Sequence, residues 1–205
     1  MKTSVKILLV ITLVLSATYT QAQTRFGIKG GLNFSTASFS QNGVTATPDS
    51  KTGFNLGVIS EIPLATDFYL QPGLLFSTKG YKMSNFSGSD LSVSTNNIEI
   101  PINALYKLNA GSVKVLGFAG PYIGYAVSGK LKSGDESEDI KFSGDNKMMN
   151  ALDLGFNFGA GVEISNFQIT AQYGLGLTNT FANFGDTKVK NKVFGVSVAY
   201  LFGGK

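Results

Sequence analysis

The sequence predicts an all-β fold, an eight-stranded antiparallel up-and-down transmembrane β-barrel. Three observations lead there. Apolar and polar residues alternate with period two along most of the chain, and no stretch sustains a helical apolar period. Long and short connections between the alternating segments strictly take turns. Of the 205 residues, 43% are hydrophobic and only 15% charged, where about 25% charged is ordinary for a soluble protein.

Residues 1–22 come first: Lys2 and Lys6, an apolar run from Ile7 to Leu15, then Thr20 and Ala22 at the −3 and −1 positions before Gln23. That order reads as a secretory signal peptide, leaving 23–205 as one barrel domain. An uncleaved helical anchor would need about 20 apolar residues, roughly twice this run. The formal charge of +4 includes the two leader lysines, so the remainder is closer to neutral and suggests no nucleic-acid partner.

Eight strands are expected, at 25–34, 51–62, 68–78, 94–107, 113–128, 150–164, 167–179 and 191–202. In the first, Phe26, Ile28, Leu32 and Phe34 alternate with Arg25, Gly27, Lys29, Gly31 and Asn33. The second and third are bounded by turn chemistry. The fourth, "NNIEIPINALYKL", sets Ile98, Ile100, Ile102, Ala104 and Tyr106 against Asn97, Glu99, Pro101, Asn103, Leu105 and Lys107. The fifth is apolar on both parities, and Lys114, Leu116, Phe118, Gly120 and Tyr122 are assigned inward. The sixth sets Leu152, Leu154, Phe156, Phe158, Val162 and Ile164 against Asp153, Gly155, Asn157, Gly159, Gly161 and Glu163. The seventh opposes Phe167, Ile169, Ala171, Tyr173, Leu175 and Leu177 to glutamines, threonines and glycines. The eighth opposes Phe194, Val196, Val198, Tyr200 and Phe202 to Gly195, Ser197 and Ala199.

One face is therefore greasy and the other small and polar. A soluble barrel would bury the greasy face; here glycine, Asn, Gln and isolated charges suit a narrow lumen, and the apolar set suits lipid. A bilayer requires every backbone group to be paired, which a closed barrel achieves. The connections after the second, fourth and sixth strands ("PLATD", "NAGS", "SN") are short, and the others run about 10–20 residues. Outer-membrane barrels combine short periplasmic turns with longer outside loops, so both termini are expected in the periplasm.

Chemistry is sparse. Without cysteine, histidine or tryptophan, the chain lacks disulfides, the commonest zinc ligand and every Ser-His-Asp or Cys-His arrangement. "GAGVEI" lacks the third glycine of a dinucleotide fingerprint, and no helix follows it. The loop "SGKLKSGDESEDIKFSGDN" lacks the ligand spacing of a calcium loop and reads as solvated mixed charge. No catalytic residue, metal or cofactor is expected. The candidate site is a lumenal network of Arg25, Lys29, Glu61, Glu99 and Glu163, with Lys107 and Asp153 also at lumenal positions. A Lys or Arg on the lipid side costs about 2–4 kcal/mol at the midplane, which is why shared parity argues for an inward face.

The chain resembles the small outer-membrane barrels of the Bacteroidota, the porin-family or PorT-like proteins. The resemblance runs through "RFGIKGGLNFS", "NNIEIPINALYKL", "GPYIGY", "AQYGLGLTN" and the apolar last strand, and departs at "GGK", which follows Phe202 where an aromatic would end the chain. It implies location and architecture and little chemistry: a non-enzymatic barrel whose outer loops serve a structural, adhesion or partner-binding role. The alternatives are a small solute channel and a membrane-embedded lipid-modifying hydrolase. Expected partners are outer-membrane lipids and the outer-membrane assembly machinery, with the barrel a monomer of unknown specific ligand.

Overall fold

The computed structural model describes residues 24–41, 44–86, 89–144, 146–181 and 187–203, so the expected leader lies outside the described residues. Eight long antiparallel strands form a ring: β1 (Arg25–Gln41), β3 (Asp49–Ala65), β4 (Phe68–Phe86), β5 (Ser89–Ala110), β6 (Val113–Ser133), β8 (Leu152–Ile164), β9 (Phe167–Gly176) and β10 (Lys188–Phe202). Each pairs with its chain neighbour, and β10 closes on β1 in an unbroken register from Phe26 opposite Phe202 to Ser40 opposite Lys188. Two short strands, β2 (Val44–Ala46) and β7 (Glu136–Asp139), pair only with the far ends of β1 and β6. Closure leaves no edge in the ring, so the backbone groups that would otherwise face hydrocarbon are paired.

Alternation along each strand sets the two faces. Phe26, Ile28, Leu56, Val58, Ile100, Ile123, Phe156 and Val198 are all exposed on the outside, while Lys29, Asn33, Glu61, Asn103, Lys107, Asp153, Asn157 and Gln168 are buried inside. A continuous apolar exterior around a polar interior is the inverse of a water-soluble barrel and matches a hydrocarbon surround. On β6, Leu116, Phe118, Gly120 and Tyr122 are buried as expected, and Lys114 near the strand start is half-buried.

At one end of the ring the three connections are two-residue turns, at Thr66-Asp67, Gly111-Ser112 and Ser165-Asn166. Each contains one residue in the left-handed region, Asp67 (φ 64°), Gly111 (φ 67°) and Ser165 (φ 54°), as tight hairpins require. Aromatic pairs gather at this end: Phe68 with Tyr106 at 4.7 Å, and Tyr200 with Phe167 and Phe202 at 5.0 Å each. They resemble the girdle of a membrane interface.

At the other end the structure corrects the sequence reading. The expected long loops are largely continuations of the wall: β4 and β5 run 19 and 22 residues, well past the expected limits at 78 and 94. The charged segment 128–146 is likewise no simple loop, because its start extends β6, Glu136–Asp139 pair back onto it, and Ile140 is buried. Polar residues such as Ser84, Ser92 and Ser94 interrupt the apolar alternation there, which is why the sequence pattern stops while the ladder continues. A bulge lies where this extension begins. Asn96 pairs with Ser128 and Asn97 with Ala126, so Val127 is the extra residue and β6 exchanges its inward parity above it.

Candidate functional site

The lumen is filled by side chains in layers, as the narrow interior of an eight-stranded barrel allows. Nearest the short turns, Arg25 of β1, Glu61 of β3, Lys107 of β5 and Glu163 of β8 meet inside the lumen. Arg25 donates two hydrogen bonds of 2.9 Å to the two oxygens of Glu163, and its Nε donates to Glu61 at 3.1 Å. Lys107 Nζ lies 2.7 Å from Glu61 and 2.6 Å from Glu163. Gln168 Nε2 donates to both carboxylates at 2.8 Å, and Gln168 Oε1 accepts from Gln71 Nε2 at 3.1 Å. The ring of Tyr69 sits 4.6 Å from the Lys107 ammonium. Two cations face two anions, every carboxylate has three partners, and the planar fork of Arg25 sets the geometry.

The middle layer is neutral apart from Lys29, which donates to Gln172 at 3.1 Å. Asn55 donates to Asn33 at 2.8 Å, Asn33 to Ser77 at 3.0 Å, and Ser197 to Asn55 at 3.3 Å. Asn33 and Asn55 lie on paired strands, and the other bonds each reach past one intervening strand of the ring.

The third layer centres on Lys79 of β4. Its Nζ lies 2.7 Å from Glu99 and 3.0 Å from Asp153, and 4.6 Å from the centre of the Tyr122 ring. Tyr122 and Asn191 donate to Asp153 at 3.2 and 2.9 Å. Gly155 makes room for this layer, because a Cβ there would meet the Tyr122 ring and the Leu175 carbonyl.

The five residues expected to share one lumenal network therefore separate. Arg25, Glu61 and Glu163 converge, Lys29 stands in the middle layer, and Glu99 pairs with Lys79 in another layer. Lys107 and Asp153, read as inward from parity, supply a cation to the first cluster and an anion to the second. Lys79 was missed because it lies one residue beyond the expected end of its strand. Tyr122 lies on the inward face expected for its strand, and Gln168 and Gln172 on the polar face expected for theirs, but without a charge none is marked as a partner of the ion pairs, and Gln71 lies in a strand whose two faces the sequence does not separate. The acidic groups are engaged by cations and amides, and no serine or threonine faces a free base in the clusters described. Among the described residues no group of three His, Cys, Asp or Glu side chains could hold a metal ion.

Residues 21–182 match the family model described as outer membrane protein beta-barrel domain. Among solved structures the chain is similar to Ail, the attachment invasion locus protein of Yersinia pestis, in complex with the heparin analogue sucrose octasulfate. That alignment has 18% identity, covers 87% of this chain and 99% of that one, and has a TM-score of 0.39. It is also similar to Neisserial surface protein A, at 14% identity, 85% and 96% coverage and a TM-score of 0.46. For OprG from Pseudomonas aeruginosa the values are 13% identity, 89% and 98% coverage and a TM-score of 0.48. No curated protein matches by sequence. With the ring closed, the lipid-facing exterior in place and most of the chain matched, the protein belongs to the outer membrane β-barrel domain family and resides in the outer membrane.

Proposed function

We propose that this protein is a non-enzymatic barrel that conducts no solute and acts through the walls and connections above the membrane, in adhesion, envelope integrity or partner binding. The observation that carries this reading is the stacking of two ion-pair clusters across one lumen: Arg25, Glu61, Lys107 and Glu163 at one level, and Lys79, Glu99 and Asp153 at another. A diffusing solute would have to separate buried charges at both levels, and leaving one unpaired costs about 3–5 kcal/mol.

Residues 1–22 direct export, and the mature chain is inserted by the outer-membrane assembly machinery as a monomer among outer-membrane lipids. The short turns face the periplasm and the extended strands face outside, in keeping with the usual inequality of turn and loop lengths. Within its family the chain belongs with the Bacteroidota barrels it resembles. Planar-bilayer recording tests the central point. The reconstituted protein gives no discrete conductance steps, and neither do variants altered only above the membrane. Regular single-channel openings of the unaltered protein would establish the rival reading, a small solute channel.

A further inference from the structure

Above the Lys79 layer the inward face changes character. On β4 the inward residue after Lys79 is Tyr81 and then Met83; on β5 Thr95 gives way to Val93 and Leu91. Together with Met149 and residues of β1, β2, β6 and β10, they line a chamber of about 990 Å³ recessed within the strand ring. Its floor is a buried apolar cluster that contains Tyr81, Val93 and Met149. Among the described lining residues there is no carboxylate, and the single charge is the exposed Lys147.

We propose that this chamber binds the aliphatic chain of a single-chain anionic amphiphile, a long-chain fatty acid in the simplest case, with its carboxylate beside Lys147. Such a ligand fits on three counts. The volume lies at the upper end of the range for small-molecule sites. A chamber lined this way offers water few hydrogen bonds, and apolar cavities take up apolar molecules readily. The thioethers and aromatic rings adapt to a flexible chain without demanding one shape. The lone cation selects an anionic head over a cationic one. A folded protein surface is a poor fit for a cavity recessed inside the ring. The chamber ends on the charged layers, so the site captures its ligand and does not pass it through the lumen. The inference rests on the closed-lumen reading, but conductance tests that reading separately from binding.

The test uses the purified protein in nanodiscs of zwitterionic phosphatidylcholine, with palmitic acid carrying a terminal diazirine as the probe. After irradiation, crosslinks fall on the segments around Met83, Leu91 and Met149, and unlabelled palmitate competes for them. Leu91→Trp, which narrows the chamber, weakens these crosslinks. Lys147→Glu lies at an exposed position and lowers competition by palmitate about fivefold, the order expected for a solvent-accessible ion pair, while competition by palmityl alcohol is unchanged. Crosslinks confined to outward residues such as Leu56 and Val58 would overturn the proposal, as they would if another part of the chain or lipid alone occupied the chamber. An equal effect of Lys147→Glu on acid and alcohol would overturn the assignment of the anionic head.

Discussion

Lys107 is one of the most enclosed charges among the described residues, with a side chain 2% accessible and wedged between two carboxylates. Lys107→Met keeps its length and removes its charge, leaving Glu61 and Glu163 to share Arg25 and Gln168. The expected loss is about 3–5 kcal/mol, read as a lower urea midpoint for unfolding from lipid vesicles. Glu99→Ala should cost less, because the Glu99 side chain is 12% accessible and Asp153 still holds Lys79. Equal midpoints for Lys107→Met and the unaltered protein would contradict the cluster. At this scale the sequence was legible where a charge stood inside a clear alternation, as for Glu99, Lys107 and Glu163. It was opaque about partners. Which charges meet depends on the stagger of strands around the ring, and Arg25 meets Glu163 across 138 positions of sequence.

Among the elements, β10 has the most demanding task. It pairs with β9 on one side and β1 on the other while presenting Phe194, Val196, Val198 and Phe202 to lipid. Without it, the free edges of β1 and β9 would expose backbone groups to hydrocarbon at several kcal/mol each. Replacing Tyr200 and Phe202 together by Asp is expected to stop assembly and leave the protein degraded before it reaches the membrane, whereas removal of residues 203–205 is tolerated. Outer-membrane fractionation separates the two outcomes, and normal membrane levels of the double variant would refute this role for β10. The strand itself was readable because its alternation is uninterrupted from Phe194 to Tyr200. The upper reaches of β4 and β5 were not, since serine and lysine on their outward face imitate a loop, and only cross-strand pairing identifies them as wall.

For the whole molecule, the inequality of the two ends gives an orientation. Three two-residue turns lie at one end with Arg25 and Phe202, and the extended hairpins lie at the other. An epitope beside Lys132 should be bound by antibody on intact cells, and one after Lys205 should be bound only after the outer membrane is opened. Surface detection of the terminal epitope would reverse the assignment. Fold class and ring closure were legible because lipid outside and a narrow lumen inside impose opposite polarities on alternate residues. The apolar chamber was not, because its lining is assembled from short pieces of seven or more separated segments, each too brief to carry a pattern.

The central claim, that alternate residues face lipid and lumen, is tested most directly on β5. A nitroxide is placed in turn at each position from 97 to 107 in the reconstituted protein, and its collisions with oxygen, which concentrates in hydrocarbon, are measured. High accessibility is expected at Ile98, Ile100, Ile102, Ala104 and Tyr106, and low accessibility at Asn97, Glu99, Pro101, Asn103, Leu105 and Lys107. A profile without period two, or one with its maxima at Glu99 and Asn103, would contradict it.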